Sequence, residues 1–134
     1  MLRDIKIGLS NIKKWLPIIW KDRQWDHFFF FTILRHKLGI MENFFRDTAI
    51  HIGAEADADN MKVCVCLLDR LVEDEYMERA ERYLPGMNLL SHTPSEYRTE
   101  VKRQLWVKRS RMLLHQDLEY LGKMLSKHSF GWWD

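Results

Sequence analysis

AEADADNMKVCVCLLDRLVEDEYMERAERYL, residues 54 to 84, is the stretch on which the fold class turns. Wound at 3.6 residues per turn, it brings Ala58, Met61, Val65, Leu68 and Val72 onto one face and leaves most of its charges on the other. Pro85 and Gly86 close it, because proline cannot continue a helix and glycine suits the left-handed turn that follows one. A helix this long with a single apolar stripe must bury that stripe on other helices, so neighbouring segments should show the same period.

They do. Upstream, the seam Phe30, Leu34, Leu38, Met41 and Phe45 predicts a helix from His27 to about Asp47, entered at Asp26 as a cap, with Gly39 tolerated inside it at modest cost. Ile50 to Gly53 reads as the connection to the long helix. Residues 2 to 16 form a short amphipathic helix, with Ile5, Leu9, Ile12 and Leu16 at helical spacing and Arg3, Lys6, Lys13 and Lys14 around them. Its apolar face is expected to pack on the bundle. Pro17 disfavours helix at Leu16, so residues 20 to 26 are expected to form an irregular turn. Downstream, Thr93-Pro94-Ser95-Glu96 is a capping box with proline at the first helical position. Val101, Leu105, Met112, Leu118, Leu121 and Leu125 then carry a helix over 94 to 127, ahead of a tail ending Phe130-Gly131-Trp132-Trp133-Asp134. The prediction is an all-α bundle of about four main helices in one domain spanning residues 1 to 134, self-associating through spare surface.

At 134 residues the chain can bury one real core, and its 46% hydrophobic and 30% charged content is that of a folded globule. Six Trp and seven Phe are more than so small a core easily hides, which predicts a groove or subunit contact lined by aromatics. A net charge of +2 makes nucleic acid an unexpected partner. Charge is nonetheless segregated. Eight acids between Glu55 and Glu78 face only Lys62, Arg70 and Arg79, whereas Arg98, Lys102, Arg103, Lys108, Arg109 and Arg111 face only Glu100, and the two stretches are expected to attract one another. Cys64 and Cys66, two apart on a helix, point to different sides, so a disulfide between them is not expected and a reducing compartment is favoured. Phe28 to Leu34 is too short an apolar run to span a bilayer, and the N-terminus lacks the apolar core of a secretory signal. A cytoplasmic location without membrane contact follows as the expectation.

Catalytic signatures are sparse. The six glycines form neither GxGxxG nor GxxxxGK, and the six histidines are dispersed with no HExxH or ExxH pair. Asp57, Asp59 and Asn60 match a calcium loop for three residues only, since Met61 takes the next ligand place. Cys64 and Cys66 lack a second pair for zinc and read as small buried hydrophobes. Asp69, Glu73 and Asp74, with Glu78 a turn on, have the spacing from which bundle metal sites are built, but the following helix is basic where matching ligands would be needed. No cofactor or metal is predicted.

The segment WLPIIWKDRQWD, residues 15 to 26, is the most distinctive. It sets three indoles at steps of five beside Lys21 and Arg23. Indoles stack on planar rings and guanidinium forks hold phosphate, so Trp20, Lys21, Arg23 and Trp25 are candidate ligand contacts for an anionic nucleotide, with Lys102, Arg103 and Arg109 of the basic helix. The competing reading makes the indoles a cover for the open end of the bundle, with Asp22 and Arg23 locking the turn. Trp106, Trp132 and Trp133 are candidate anchors at a protein interface.

Two blocks carry a resemblance. Trp15-Leu16-Pro17 with Ile19 to Arg23 and Trp25-Asp26, followed by Leu34, Lys37-Leu38 and Met41, resembles a family of small uncharacterised bacteriophage proteins. Cys66 to Leu71 with Asp74 and Tyr76 looks like that family's second shared block. The resemblance covers roughly residues 15 to 76 and implies a phage origin without supplying catalytic residues. For a small non-enzymatic phage protein it implies three roles: a virion component, a binder of host proteins, or an oligomeric counter-defence protein that sequesters a nucleotide immune signal. The expected function is a non-enzymatic phage binding protein, an oligomer that sequesters an anionic nucleotide; the alternative is a structural or host-protein interaction module, and the remote alternative a metal-dependent enzyme using Asp69, Glu73 and Asp74.

Overall fold

The computed structural model describes the backbone of residues 2–23, 25, 26, 28–82 and 95–133, and the side chains of these except at 2, 95–98 and 133. Among the described residues every regular element is helical: α1 (Leu2–Ile19), α2 (Phe29–Thr48), α3 (Ala54–Glu73), α4 (Tyr76–Arg82), α5 (Ser95–His128) and a closing 3-10 turn (Gly131–Trp133). The capping box at 93 to 96 and the stop at Pro85-Gly86 lie outside the described residues.

Helix α3 is the centre. Ala58, Met61, Cys64, Leu68 and Leu71 have no exposed surface, and Ala54 and Leu67 almost none. The stripe is wider than its sequence period suggested, because α3 is covered from two sides: Val65 and Val72 are its half-buried margin while Cys64, Leu67 and Leu71 are core. Cys66, expected to be buried with Cys64, is exposed, since residues two apart lie about 200° apart on a helix.

On one side α2 runs antiparallel to α3. Arg46 pairs with Asp59 at 2.8 Å and Arg35 with Asp69 at 3.1 Å, so successive contacts step down one helix and up the other. Leu38, Met41 and Phe45 supply its buried face. The chain leaves α2 through Ala49, held at φ 43°, and enters α3 at Gly53, φ 100°; both are left-handed conformations, natural for glycine and strained for alanine. On the other side α5 is antiparallel to α3, as Asn60 contacts His128 and Arg70 contacts Asp117. Leu121, Met124 and Trp132 close that side of the core. At 34 residues α5 is about 50 Å long against about 30 Å for α3, so its basic first half runs past the shared core.

Three elements depart from the sequence prediction. The helix expected over 54 to 84 breaks at Asp74, which adopts φ 50° and caps α3 by donating its N–H to the Arg70 carbonyl. A short polar side chain tolerates that conformation, and the break turns α4 so that Tyr76 reaches α5. Second, α1 continues three residues beyond Leu16, with the Trp20 N–H bonded to the Leu16 carbonyl at 3.0 Å. Pro17 removes only the donor that would serve the Lys13 carbonyl, and the next carbonyl, of Lys14, accepts from His36 Nε2 at 3.0 Å. Third, the apolar face of α1 is not packed on the bundle. Ile5, Leu9, Ile12, Leu16 and Ile19 are each 44 to 62% exposed.

Acids of the 54–79 stretch are also partnered differently from expectation. Asp57, Asp59 and Asp69 pair with His51, Arg46 and Arg35, while Arg103 of the basic run pairs with Glu100 inside α5. Where the acidic stretch does meet α5 the polarity is reversed and the contact lies beyond the basic run: Asp117 receives Arg70 and Arg79.

Candidate functional site

The three indoles of residues 15 to 26 separate into one structural residue and two free ones. Trp15 is half-buried, its ring edge-on to His36 with centroids 4.9 Å apart and planes at 79°, and this contact seats α1 on α2. Trp20 and Trp25 are 77% and 81% exposed, so they do not cover the end of the bundle. Backbone bonds hold the turn between them: Lys21 and Asp22 N–H groups donate to the Ile18 and Ile19 carbonyls, and Asp26 N–H to the Arg23 carbonyl at 2.8 Å. Asp26 forms a turn ahead of α2, its Oδ1 accepting the Phe28 N–H at 3.0 Å, while the cap position expected for it is taken by Phe28, which makes no side-chain cap bond.

Lys21 and Arg23 are exposed beside the two indoles. Arg23 Nη1 donates to the Asp22 backbone carbonyl at 3.0 Å, which steadies the side chain and leaves other donors of its fork directed elsewhere. Leu16, Pro17, Trp20 and Lys21 line an open, mostly apolar cavity of about 470 Å³. One indole, one cation and an apolar floor are thus adjacent at the end of α1.

The basic helix contributes a separate surface. Arg103 is clamped on Glu100 through two bonds of 3.0 and 2.8 Å, and with the Gln104 amide it holds that carboxyl below the usual carboxylate range. Arg103, Val107 and Arg111 line a cavity of about 300 Å³ formed by α5 alone. Lys102 and Arg109 are half-buried, Arg109 Nη1 lying 3.8 Å from Met112 Sδ. These two cavities share no lining residue, and neither is lined by Arg23, Trp25, Lys102 or Arg109, so they do not bring the sequence-derived ligand group together.

Of the interface candidates, Trp106 is half-buried. Trp132 is a correction: it is 3% exposed, because the 3-10 turn after α5 folds it back against the core, and its Nε1 finds no acceptor among the described residues. The side chain of Trp133 lies outside the described residues. Its neighbour Phe130 is the exposed aromatic of the tail, at 87%. The acidic group is dispersed too: Asp69 is engaged by Arg35 and Asp74 forms the α3 cap, and no three His, Cys, Asp or Glu among the described residues come together as a metal site.

Sequence reasoning missed a polar network at the α3–α4–α5 junction. Tyr76 donates its hydroxyl to Asp117 Oδ2 at 3.0 Å, Arg70 reaches Asp117 Oδ1 at 3.2 Å, and Arg79 lies 3.8 Å from Oδ2 and over the Tyr76 ring. Burial, then the bond to Asp117, pushes the Tyr76 phenol far above its ordinary value. The only hint in the sequence is an acid on a helix whose first half is basic, and nothing there says which turn it meets. No family model matches this chain, and no curated protein or solved structure does either, so what it binds is argued from its surface.

Proposed function

We propose that this is a non-enzymatic binding protein whose contact surface is the exposed Trp20, Lys21, Arg23 and Trp25, and that its partner is a protein, in keeping with the phage role that the resemblance implies. The exposure of Trp20 and Trp25 beside Lys21 and Arg23 carries the reading. Tryptophan and arginine dominate the energetics of protein contacts, and two indoles left in water on a segment pinned by backbone bonds lose little entropy on docking. An open surface suits a protein better than a small molecule, most of whose area must be enclosed for tight binding.

A nucleotide is the second reading, favoured by the cavity of about 470 Å³ at Trp20 and Lys21, within the range of roughly 300 to 1,000 Å³ of small-ligand sites. Indole stacking and lysine would then hold base and phosphate, and a counter-defence protein could sequester a signal this way.

The test is co-purification from host cells of the wild type and of a Trp20→Ala, Arg23→Ala, Trp25→Ala variant, with mass spectrometry of retained proteins and released small molecules. These side chains stand in solvent, so the variant should melt within about 2 °C of wild type. A host protein held in stoichiometric yield by wild type and lost from the variant is expected. A released nucleotide lost in the same way would move the assignment to the second reading, whereas material retained equally by both proteins, or none at all, would overturn the proposal.

A further inference from the structure

Helix α1 carries a pattern stricter than amphipathicity. Leu2, Ile5, Leu9, Ile12, Leu16 and Ile19 follow one another at alternating steps of three and four, the 3.5-residue repeat of a coiled-coil seam. The residue types are sorted as well. Leucine occupies every a position (2, 9, 16) and isoleucine every d position (5, 12, 19). The seam from Ile5 onward lies 44 to 62% exposed, while the contact with α2 is made through Trp15, about 90° around the helix.

We propose that α1 is a self-association element, and that copies of this chain join their α1 seams in parallel as a bundle of three or four. Leucine at a with isoleucine at d favours trimers and tetramers over dimers, because β-branched side chains at d fit the packing angles of the larger bundles. Charge sets the direction. Lys6 and Lys13 both fall at e, and an antiparallel pair would bring e against e, lysine against lysine. A parallel arrangement faces them with g positions, here the uncharged Gly8 and Trp15. Area is sufficient: the described seam residues from Ile5 to Ile19 leave on the order of 500 Å² per chain in water, the roughly 500 Å² per partner at which a specific interface begins.

A lipid surface fits the same helix less well. A helix lying in a bilayer interface sets its apolar face against a polar face rich in Lys and Arg and draws no benefit from sorting leucine from isoleucine. Here Lys6 and Lys13 line one edge, and the other edge is the Trp15 side, against α2. In a parallel bundle the Trp20–Trp25 segments of all copies emerge at one end, which would raise the avidity of the contact surface proposed above. The seam itself stands whatever those segments bind.

Light scattering on the eluted full-length protein, over a range of concentrations, tests this. The expected mass is three or four times 16.3 kDa, falling on dilution. Leu9→Asp with Leu16→Asp should reduce it to the mass of one chain with unchanged helical circular dichroism, whereas the Trp20, Arg23, Trp25 variant should keep the full assembly, so the two proposals fail separately. Oxidation of Ile5→Cys in a Cys66→Ser background should cross-link copies. A wild type that stays monomeric, including one that floats with anionic vesicles as a monomer, overturns the proposal, as does a doubly charged variant of undiminished mass. A larger assembly without cross-linking overturns the parallel arrangement.

Discussion

Tyr76 shows how a single buried hydroxyl ties three helices together. Its phenol donates to Asp117, which also receives two guanidinium groups, and it is almost fully buried. Desolvation and the carboxylate both favour the neutral phenol, so its folded pKa stands above the ordinary 10.0. The stability this provides is complete below pH 10 and is lost as pH rises through the folded value. Cys64, pushed by burial from 9.0 up to about 11, acts in the same direction. Melting temperature should therefore fall from about pH 9 upward, and Tyr76→Phe should flatten part of that slope while costing about 1 kcal/mol at neutral pH. An unchanged alkaline slope in the variant would contradict this assignment. Little of this was legible beforehand. A turn at Asp26 could be read because its bonds are local, but the pairing of Tyr76 with Asp117, and the burial of Trp132 but not of Trp25, depend on which turns meet across the bundle.

Helices were the most readable feature, because apolar periodicity is a property of a dozen consecutive residues and survives any tertiary arrangement. Their ends were less so. Phe29–Thr48 and Ser95–His128 agree with the expected segments to within two residues, but the break at Asp74 was hidden: an aspartate in the left-handed conformation looks like any other exposed acid in a helical pattern. Pro17 misled in the opposite sense: near the end of an exposed helix it costs only the bond to the Lys13 carbonyl, which stands in solvent. The turn between α2 and α3 yields a direct test. Ala49 sits at φ 43° where glycine is the usual residue, so Ala49→Gly should raise stability by roughly 0.5 to 1 kcal/mol, the relief of strain exceeding the added flexibility of the unfolded chain. In urea the midpoint should move up with the slope unchanged; a lower midpoint would mean that Ala49 is not strained.

The whole molecule divides into a three-helix core of α2, α3 and α5, buttressed by α4, and an outer helix attached chiefly at Trp15 and His36. That division explains the surplus of aromatics noted from composition: Phe29, Phe45, Tyr76 and Trp132 fill the core, while Trp20, Trp25, Phe30 and Phe130 remain outside it. Composition revealed the surplus but not its location, because α1 has the same amphipathic signature whether it packs on its own bundle or on another copy. Ile5, Leu9, Ile12, Leu16 and Ile19 stand together in water on this outward face, an apolar patch of the kind that marks a contact site. Hydrogen exchange followed by mass spectrometry at low and high protein concentration puts the division to the test. Amides of α3 should be the slowest at both concentrations, and those of α1 should exchange fast in dilute protein and become protected as concentration rises. Equal protection of α1 at every dilution would contradict an unpartnered outer helix, and fast exchange in α3 would contradict the core itself.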